Sequence, residues 1–382
     1  MNKMEVHTKT DIKSDKHIMD NIEDSQIQKT FAGSTIFLTG GTGFLGKLMV
    51  DKLLRCCPKI KKLYLLTRPK KNKEIMKRLQ EQFDDVLYDK LRKQMPDFME
   101  KIGIIQGDMG QPDLVISTAH EPVPGWIDNV YGPTGAVVGA AAGLLHVLLC
   151  NPSVIADLVP GDFVVNGCIA TAWKTARDYP GNHEEAPVDN LPMTYNYVSS
   201  EQNPLTWEMF MKYSEVYGLR VPSMQAIWMY LLWLTPSTVM YNFYFFLLHW
   251  IPAYIIDFFL MIIGKKPILK KAYVKIKKFS AVIGYFAQRE WKFHNGNTLK
   301  LYKEMDETDK QMFNFDMESL VWEEYFQDYV KGVRIYLLKD PLDTIPQSRR
   351  KHFKLMLIHY FLLSLICFGL FKFVWFIAKL FI

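Results

Sequence analysis

The chain has 382 residues, 49% hydrophobic and 23% charged, with a formal net charge of +6. That length allows two domains and a sizeable core; so mild a charge, with no supporting motif, excludes a nucleic-acid binder. Five cysteines (Cys56, Cys57, Cys150, Cys168 and Cys367) stand at irregular spacing without a C-x-x-C pair. Neither a disulfide framework nor a zinc site follows, no metal is expected, and a reducing, cytosol-facing environment fits. Residues 1–30 are polar and charged with no apolar h-region, which excludes a cleavable signal peptide. They read as a disordered leader.

The first element with chemistry in it is "STIFLTGGTGFLGKLMVDKLLRCCPKIKKLYLLTRPKK". A β-rich run, Thr35–Thr39, enters Gly40-Gly41-Thr42-Gly43-Phe44-Leu45-Gly46, and a helical period then begins with Leu45, Leu48, Met49 and Leu53. Strand, glycine turn and helix come in the order that cradles a dinucleotide pyrophosphate. Gly40 allows the tight turn, Gly43 lets the backbone approach the phosphates, and Gly46 permits close packing of helix on strand. Thr42, Phe44 and Leu45 complete the candidate cofactor turn. Cys56 and Cys57 read as two thiols at the end of its helix.

The second strand, "KKLYLLT", ends at Arg68, with Lys70 and Lys71 following. An NAD enzyme places an acid there for the ribose hydroxyls. A cation suits a 2′-phosphate, so NADPH is expected. The third strand, "KIGIIQGD", ends in Gly107-Asp108; Asp108 reads either as an adenine-side acid or as a strand-end turn. Six residues later "VIST" looks like the tail of another buried strand. Parallel strands need a crossover of a dozen or more residues, and none stands between them.

Beyond the junction, "GWID" (125–128) and "GPTG" (132–135) are Pro/Gly turns. Asp162 and Thr206 read as helix N-caps. Of the nine histidines none shows ligand spacing, and His183-Glu184-Glu185 lacks a second histidine. Residues 226–263 are mostly apolar, without Lys or Arg, with Asp257 their one formal charge. Pro236 and Pro252 argue against one unbroken span, leaving a membrane-embedded hairpin or an acyl-chain tunnel. Seven lysines follow within 265–278, a pattern suited to an anionic leaflet. At the C-terminus Arg349, Arg350 and Lys351 precede an apolar tail. Its residues 358–376 hold twelve Leu, Ile, Val or Phe, worth roughly −4 to −7 kcal/mol on an insertion scale. Lys372 costs at most about +3 kcal/mol and can snorkel, so a transmembrane helix is expected with the bulk of the chain in the cytosol.

TGGTGFLG with this spacing resembles the extended short-chain dehydrogenases. "LLRCCPKIKKLYLLTRPKK", "EPVPGWIDNVYGPTG", "DLVPGDFVVN", "YNYVSSEQNPLTW" and "FNFDMESLVWEEYFQDYVKGVRIYLLKD" resemble the alcohol-forming fatty acyl-CoA reductases, in family order, over about residues 31–382. The resemblance implies two hydride transfers, from long-chain acyl-CoA through an enzyme-held aldehyde to the primary alcohol, consuming NADPH. It also implies that the 125–135 turns border the acyl pocket. Partners would be the acyl-CoA and a lipid membrane, of the endoplasmic reticulum or peroxisome.

The resemblance also says what is missing. Family members place two more strands, and a helix bearing Tyr-x-x-x-Lys, where this chain runs from Leu114 straight to Val115. The tyrosine is the general acid and the lysine lowers its pKa. Only Tyr273 and Lys277 match that spacing, in a basic amphipathic stretch far from the dinucleotide fold, and they read as a chance match. In strand order 3-2-1-4-5-6 the outer strands lie about 24 Å apart at ~4.8 Å per strand. Six or seven residues reach at most about 25 Å, with a return along the strand still to cover. The junction therefore reads as an exon skip, a faulty gene model or a decayed copy, and strand 1 should show an exposed apolar edge.

The expected fold is α/β: a Rossmann-like parallel sheet, incomplete with strands 4 and 5 deleted, plus a helical C-terminal domain with membrane-associated helices. Its parts are a leader (1–30), an NADP-binding domain (31–175, deletion at 114/115), a substrate region with an apolar membrane-associated hairpin (176–264), a reductase-associated helical domain (265–348) and a transmembrane anchor (355–382). The function is acyl-CoA reduction by family, with no catalytic residues in this chain. The alternative is a non-catalytic membrane-bound NADP-binding remnant or scaffold. A sterol-processing relative is disfavoured by "NFDMESLVWEEYF".

Overall fold

The computed structural model describes residues 25–67, 75–106, 115–178 and 194–380. By contacts the chain divides into two units, neither continuous in sequence. One comprises Met1–Pro124, Leu158–Asn203 and Phe293–Leu320; the other comprises Gly125–Asp157, Pro204–Lys292 and Val321–Ile382.

In the first unit, Ser25 caps α1 (Gln26–Phe31) by accepting from the Gln28 N–H at 3.0 Å. Asp309 accepts from the Ser25 hydroxyl and from the Gln26 and Ile27 N–H groups. The leader expected to be disordered through residue 30 is therefore ordered from Ser25. The reason is that Ile27 is fully buried and its helix N-terminus is tied to a carboxylate. Next come β1 (Thr35–Leu38), α2 (Phe44–Cys56), β2 (Lys62–Thr67), α3 (Ile75–Phe83), α4 (Asp89–Gln94) and β3 (Ile102–Gln106). Helix α2 buries Leu48, Val50, Leu53 and Leu54, the apolar stripe that makes it a crossover.

The three strands are parallel in the order β1-β2-β3, with Leu38 beside Leu65 and Thr67 beside Gln106. This is the first half of a Rossmann-like dinucleotide fold. Among the described residues β1 pairs with β2 alone, and Phe37 on it is 54% exposed, as a strand lacking its second neighbour would be. The strand expected at "VIST" is β4 (Val115–Ile116). It pairs parallel with β6 (Val159–Pro160), in a two-stranded sheet of its own. Helix α6 (Gly161–Asp178) follows directly.

In the second unit, α5 (Gly132–Ala141) carries Pro133 in its first turn, where the missing N–H costs nothing. β5 (Val147–Leu149) pairs parallel with β7 (Trp233–Thr235). Between them in sequence, α7 (Trp207–Gly218) is capped by Thr206, which accepts from the Met209 N–H at 3.2 Å, as expected. The Gly125 turn, at φ +73°, lies so close to the Asp328 carbonyl group that a Cβ would be 2.7 Å from its carbon. Trp126 and Ile127 beside it are buried.

Helix α8 (Thr238–Phe245), a π-turn (Phe246–Trp250) and α9 (Ile251–Ile262) form one unbroken helix, Thr238–Ile262. The break expected from Pro252 does not occur. The Ile251 N–H reaches back five residues to the Phe246 carbonyl, and this wider turn gives the proline ring room. Pro236 lies before the helix begins. Asp257, the lone charge of the apolar run, accepts from the Ile268 and Leu269 N–H groups at 3.0 Å and the Lys270 N–H at 2.9 Å. It thereby caps α10 (Leu269–Ala287), the helix that packs back along α9.

The chain then passes through α11 (Gly296–Glu304) and α12 (Glu307–Met312) of the first unit into α13 (Trp322–Gly332) and α14 (Ile345–Leu380) of the second. Buried Arg334 fixes the start of α14. It donates to the Pro341 carbonyl at 3.1 Å and to the Ser348 hydroxyl at 3.3 Å, and pairs with Asp340 at 3.1 Å.

Candidate functional site

The glycine turn joins β1 to α2 and its geometry explains each glycine. Gly40 sits at φ +69°, open to glycine with little strain, and its carbonyl accepts the Gly43 N–H at 2.8 Å. Gly43 is exposed at the mouth of α2 and brings no side chain to cap it. Gly46 is buried. A Cβ there would come within 2.6 Å of the Gly41 Cα and 2.7 Å of the Gly40 carbonyl carbon, with the Gly40 oxygen nearer still. Only hydrogen lets the helix come this close to the turn. Thr42 and Leu45 are half-buried, while Phe44 is buried and lines the space beside Gly161. From the outside, Gln82 donates to the Gly41 carbonyl at 3.1 Å and to the Tyr88 hydroxyl, which in turn donates to the Lys47 carbonyl.

Six predicted cofactor residues (Gly40, Thr42, Gly43, Phe44, Leu45 and Gly46) thus meet in one turn, opposite the N-terminal end of a 13-residue helix. A pyrophosphate fits there: the approach at Gly43 is open and the helix dipole favours anions. Arg68 and Asp108 lie outside the described residues. The strands that lead to them, β2 and β3, end side by side at Thr67 and Gln106.

The residues missed by sequence reasoning form a charged cluster on the far part of α2. Lys52 pairs with Glu121 and donates to the Met312 carbonyl at 2.5 Å. Arg55 reaches Glu121 at 2.9 Å and Asp51 at 3.1 Å. Burial pushes the Glu121 carboxyl up, but Lys52 and Arg55 outweigh it and hold the group well below the usual carboxylate range. Buried Asp51 is pushed the other way, by desolvation that Arg55 offsets only in part. Asp162 is not the cap of its own helix, contrary to expectation. Its carboxylate accepts from the backbone N–H groups of Ala119 and His120 at 2.8 Å and of Glu121 at 3.1 Å. It holds the segment that follows β4, so the first turn of α6 is anchored to residues 119–121 instead. The i, i+1 and i+4 spacing of Asp51, Lys52 and Arg55 on one helix was a weak signal. The partner Glu121 was not foreseeable at all.

The Tyr-x-x-x-Lys match, Tyr273 and Lys277, belongs to the second unit. Tyr273 is 4% exposed in the core of the second unit, packed edge-on to His249, and burial pushes its hydroxyl up. Lys277 lies 5.6 Å over the Phe245 ring. The cysteines behave as buried thiols where they are enclosed: desolvation raises Cys57, and lifts Cys150 to about 12. His183, Glu184 and Glu185 lie outside the described residues.

Sheet, turn and helix together define a nicotinamide-dinucleotide-binding protein, and comparison with known proteins narrows the class. A dinucleotide-binding profile described as "Male sterility protein" matches residues 38–120 and 115–168, in two pieces, and a second profile of that description matches residues 248–340. "Fatty acyl-CoA reductase wat" of Drosophila melanogaster is 27% identical over 483 aligned positions, covering 90% of this chain and 92% of its own. "Fatty acyl-CoA reductase 1" of Gallus gallus is 25% identical, covering 87% and 90%, and "Fatty acyl-CoA reductase 2" of Bos taurus is 24% identical, covering 88% and 91%. The chain belongs to the fatty acyl-CoA reductase family. An alignment of 483 positions exceeds the 382 residues present, so at least 101 of those positions face a gap in this chain. Among solved structures, the terminal R domain of the myxalamid PKS-NRPS pathway matches with TM-score 0.43 and 14% identity, over 81% of this chain and 92% of that one.

Proposed function

We propose that this chain belongs to the family's reaction, NADPH-dependent reduction of long-chain acyl-CoA to the primary alcohol, and that in its 382-residue form it performs only the cofactor-binding half. The observation that carries this reading is the two-piece family match, broken at residues 115–120, where sequence reasoning places a deletion between Leu114 and Val115. Strands 4 and 5 and the Tyr-x-x-x-Lys helix would occupy that gap. The bare edge of β1 supports the same conclusion.

When bound, NADPH supplies hydride to the acyl carbonyl carbon. The backbone of Gly40–Gly46 would hold its pyrophosphate, Arg68 its 2′-phosphate, and Asp108 would lie beside the adenine. Without the Tyr-x-x-x-Lys helix the chain would lack the hydroxyl that protonates the carbonyl oxygen, a contribution of typically 10²–10⁴-fold in such catalysis. Helix α14 would anchor it in the endoplasmic reticulum or peroxisomal membrane, with the bulk of the chain in the cytosol, where acyl-CoA is met.

The test uses the full chain in detergent micelles. NADPH should bind, more tightly than NADH, and absorbance at 340 nm should stay constant on addition of palmitoyl-CoA. Oxidation of NADPH with release of hexadecanol would refute the cofactor-only reading. Sequencing the transcript across the Leu114–Val115 codons decides whether a longer, Tyr-x-x-x-Lys-bearing product is also made. A longer product would assign full reductase activity to that form.

A further inference from the structure

The helix Thr238–Ile262 is long and apolar enough to cross a membrane. Three features of the second unit say that it does not. First, every fourth residue along it, Tyr241, Phe245, His249, Ala253 and Asp257, is at most 5% exposed. This row packs on Val147 of β5 and Tyr273 of α10, and the π-turn keeps it in line. His249 accepts the His146 N–H at 3.1 Å, just before β5, so the helix is held to the body of its unit from Tyr241 to Asp257.

Second, the pair it packs on, β5 with β7, is a two-stranded sheet among the described residues. Open sheet edges do not occur at hydrocarbon depth, because no water is there to satisfy their N–H and C=O groups.

Third, α10 returns alongside. Tyr273 lies level with Phe245 and His249, near the middle of the helix, at centroid distances of 6.5 and 4.9 Å. Lys270 stands 5.3 Å over the Tyr254 ring and Lys277 5.6 Å over Phe245. A crossing helix would carry Lys270, Lys271, Lys275, Lys277 and Lys278 into the bilayer interior, among the least favourable placements a side chain has.

The opposite face of the same helix is apolar and open: Phe243, Phe246, Ile255, Phe258, Phe259 and Ile262 are each more than half exposed. Lys265, Lys266 and the five lysines of α10 are exposed around it, and no acid occurs from residue 258 to residue 289.

We propose that Thr238–Ile262 and α10 form a monotopic docking element, lying in the plane of one leaflet with the aromatic face among the acyl chains and the lysines on anionic lipid headgroups. The proposal rests on the reading that α14 anchors the chain. That helix holds the body through His359, which receives the Trp228 indole N–H at 3.1 Å, and is exposed from Tyr360 onward. The 21 residues to Leu380 span about 31 Å at 1.5 Å each, the thickness of a bilayer's hydrocarbon core. One crossing helix and one in-plane hairpin would seat the second unit against the membrane at two points.

The test uses the full chain with the two exposed cysteines removed (C168S/C367S), in sealed microsomes, with a membrane-impermeant maleimide. K212C, exposed on α7, reports the side of the body. K266C, at the end of the disputed helix, should be labelled to the same extent without detergent. Labelling of K266C only after detergent would place it across the membrane and overturn the proposal. A fluorophore at F259C should be quenched by shallow spin-labelled lipid in vesicles containing phosphatidylserine, and K270Q/K271Q/K275Q/K278Q should abolish that quenching. Equal quenching in pure phosphatidylcholine, or strongest quenching by deep labels, also counts against it. A chain released by alkaline carbonate refutes the anchor and this proposal together, whereas a retained chain with K266C protected refutes this proposal alone.

Discussion

The sharpest test of the cofactor turn is Gly46→Ala. The added methyl would sit 2.6 Å from the Gly41 Cα and 2.7 Å from the Gly40 carbonyl carbon, where ordinary contact begins near 3.4 Å. Both are backbone atoms, so no side-chain rotation relieves the clash. Helix α2 must withdraw from the turn by the better part of an ångström, carrying the Gly43 N–H away from the Gly40 carbonyl. Overpacking of this kind costs about 1–3 kcal/mol. If that cost falls on the bound state, NADPH affinity drops roughly 5- to 150-fold at 1.4 kcal/mol per decade. Tryptophan-to-NADPH energy transfer or calorimetry on the full chain in micelles reads the loss. Gly218→Ala is the control: a Cβ there meets nothing within 4 Å, and at a helix end the change should leave binding as it was. G46A binding NADPH with wild-type affinity would refute the assignment of this turn to the pyrophosphate.

Two further outcomes follow from the ionic contacts. Lys52 and Arg55 lower the Glu121 carboxyl in the folded chain, so its contribution to stability is complete above about 4.5, the unshifted value, and is lost as pH falls through the lower folded value. Glu121→Gln should therefore destabilise the first unit at pH 7 and flatten its acid sensitivity below pH 4.5, read by hydrogen exchange of α2 amides. An unchanged acid profile would mean the cluster contributes nothing. Asp257→Ala removes the acceptor of three backbone N–H groups at 5% exposure. It should cost about 1–3 kcal/mol and speed exchange of the 268–270 amides by one to two decades; unaltered protection there would argue against a capping role.

The strand, glycine turn and helix were legible because their signals are local. Periodicity and the offsets of Gly40, Gly43 and Gly46 are written in consecutive residues, and the backbone conformation each needs is set by its neighbours. The proposed break after Leu114 rests on a related reading: in the family's strand order, six or seven residues do not carry the chain between the outer strands and back along their length. The apolar block misled at Pro252. A proline inside a helix usually breaks it, and only the π-turn before it, held by packing on β5, makes room.

By itself, then, the sequence determined the dinucleotide class and the family, both properties of order and spacing along the chain. Tertiary structure decided which distant groups meet. It paired Lys52 and Arg55 with Glu121, gave Asp162 to the 119–121 backbone rather than to its own helix, and explained Asp257 as the cap of α10. It also turned a run of residues apolar enough to cross a bilayer into a two-faced helix. Burial of one row against β5 and α10 depends on contacts between residues up to about a hundred positions apart, such as His146 with His249, and hydropathy summed along the chain carries no record of which face a neighbour covers.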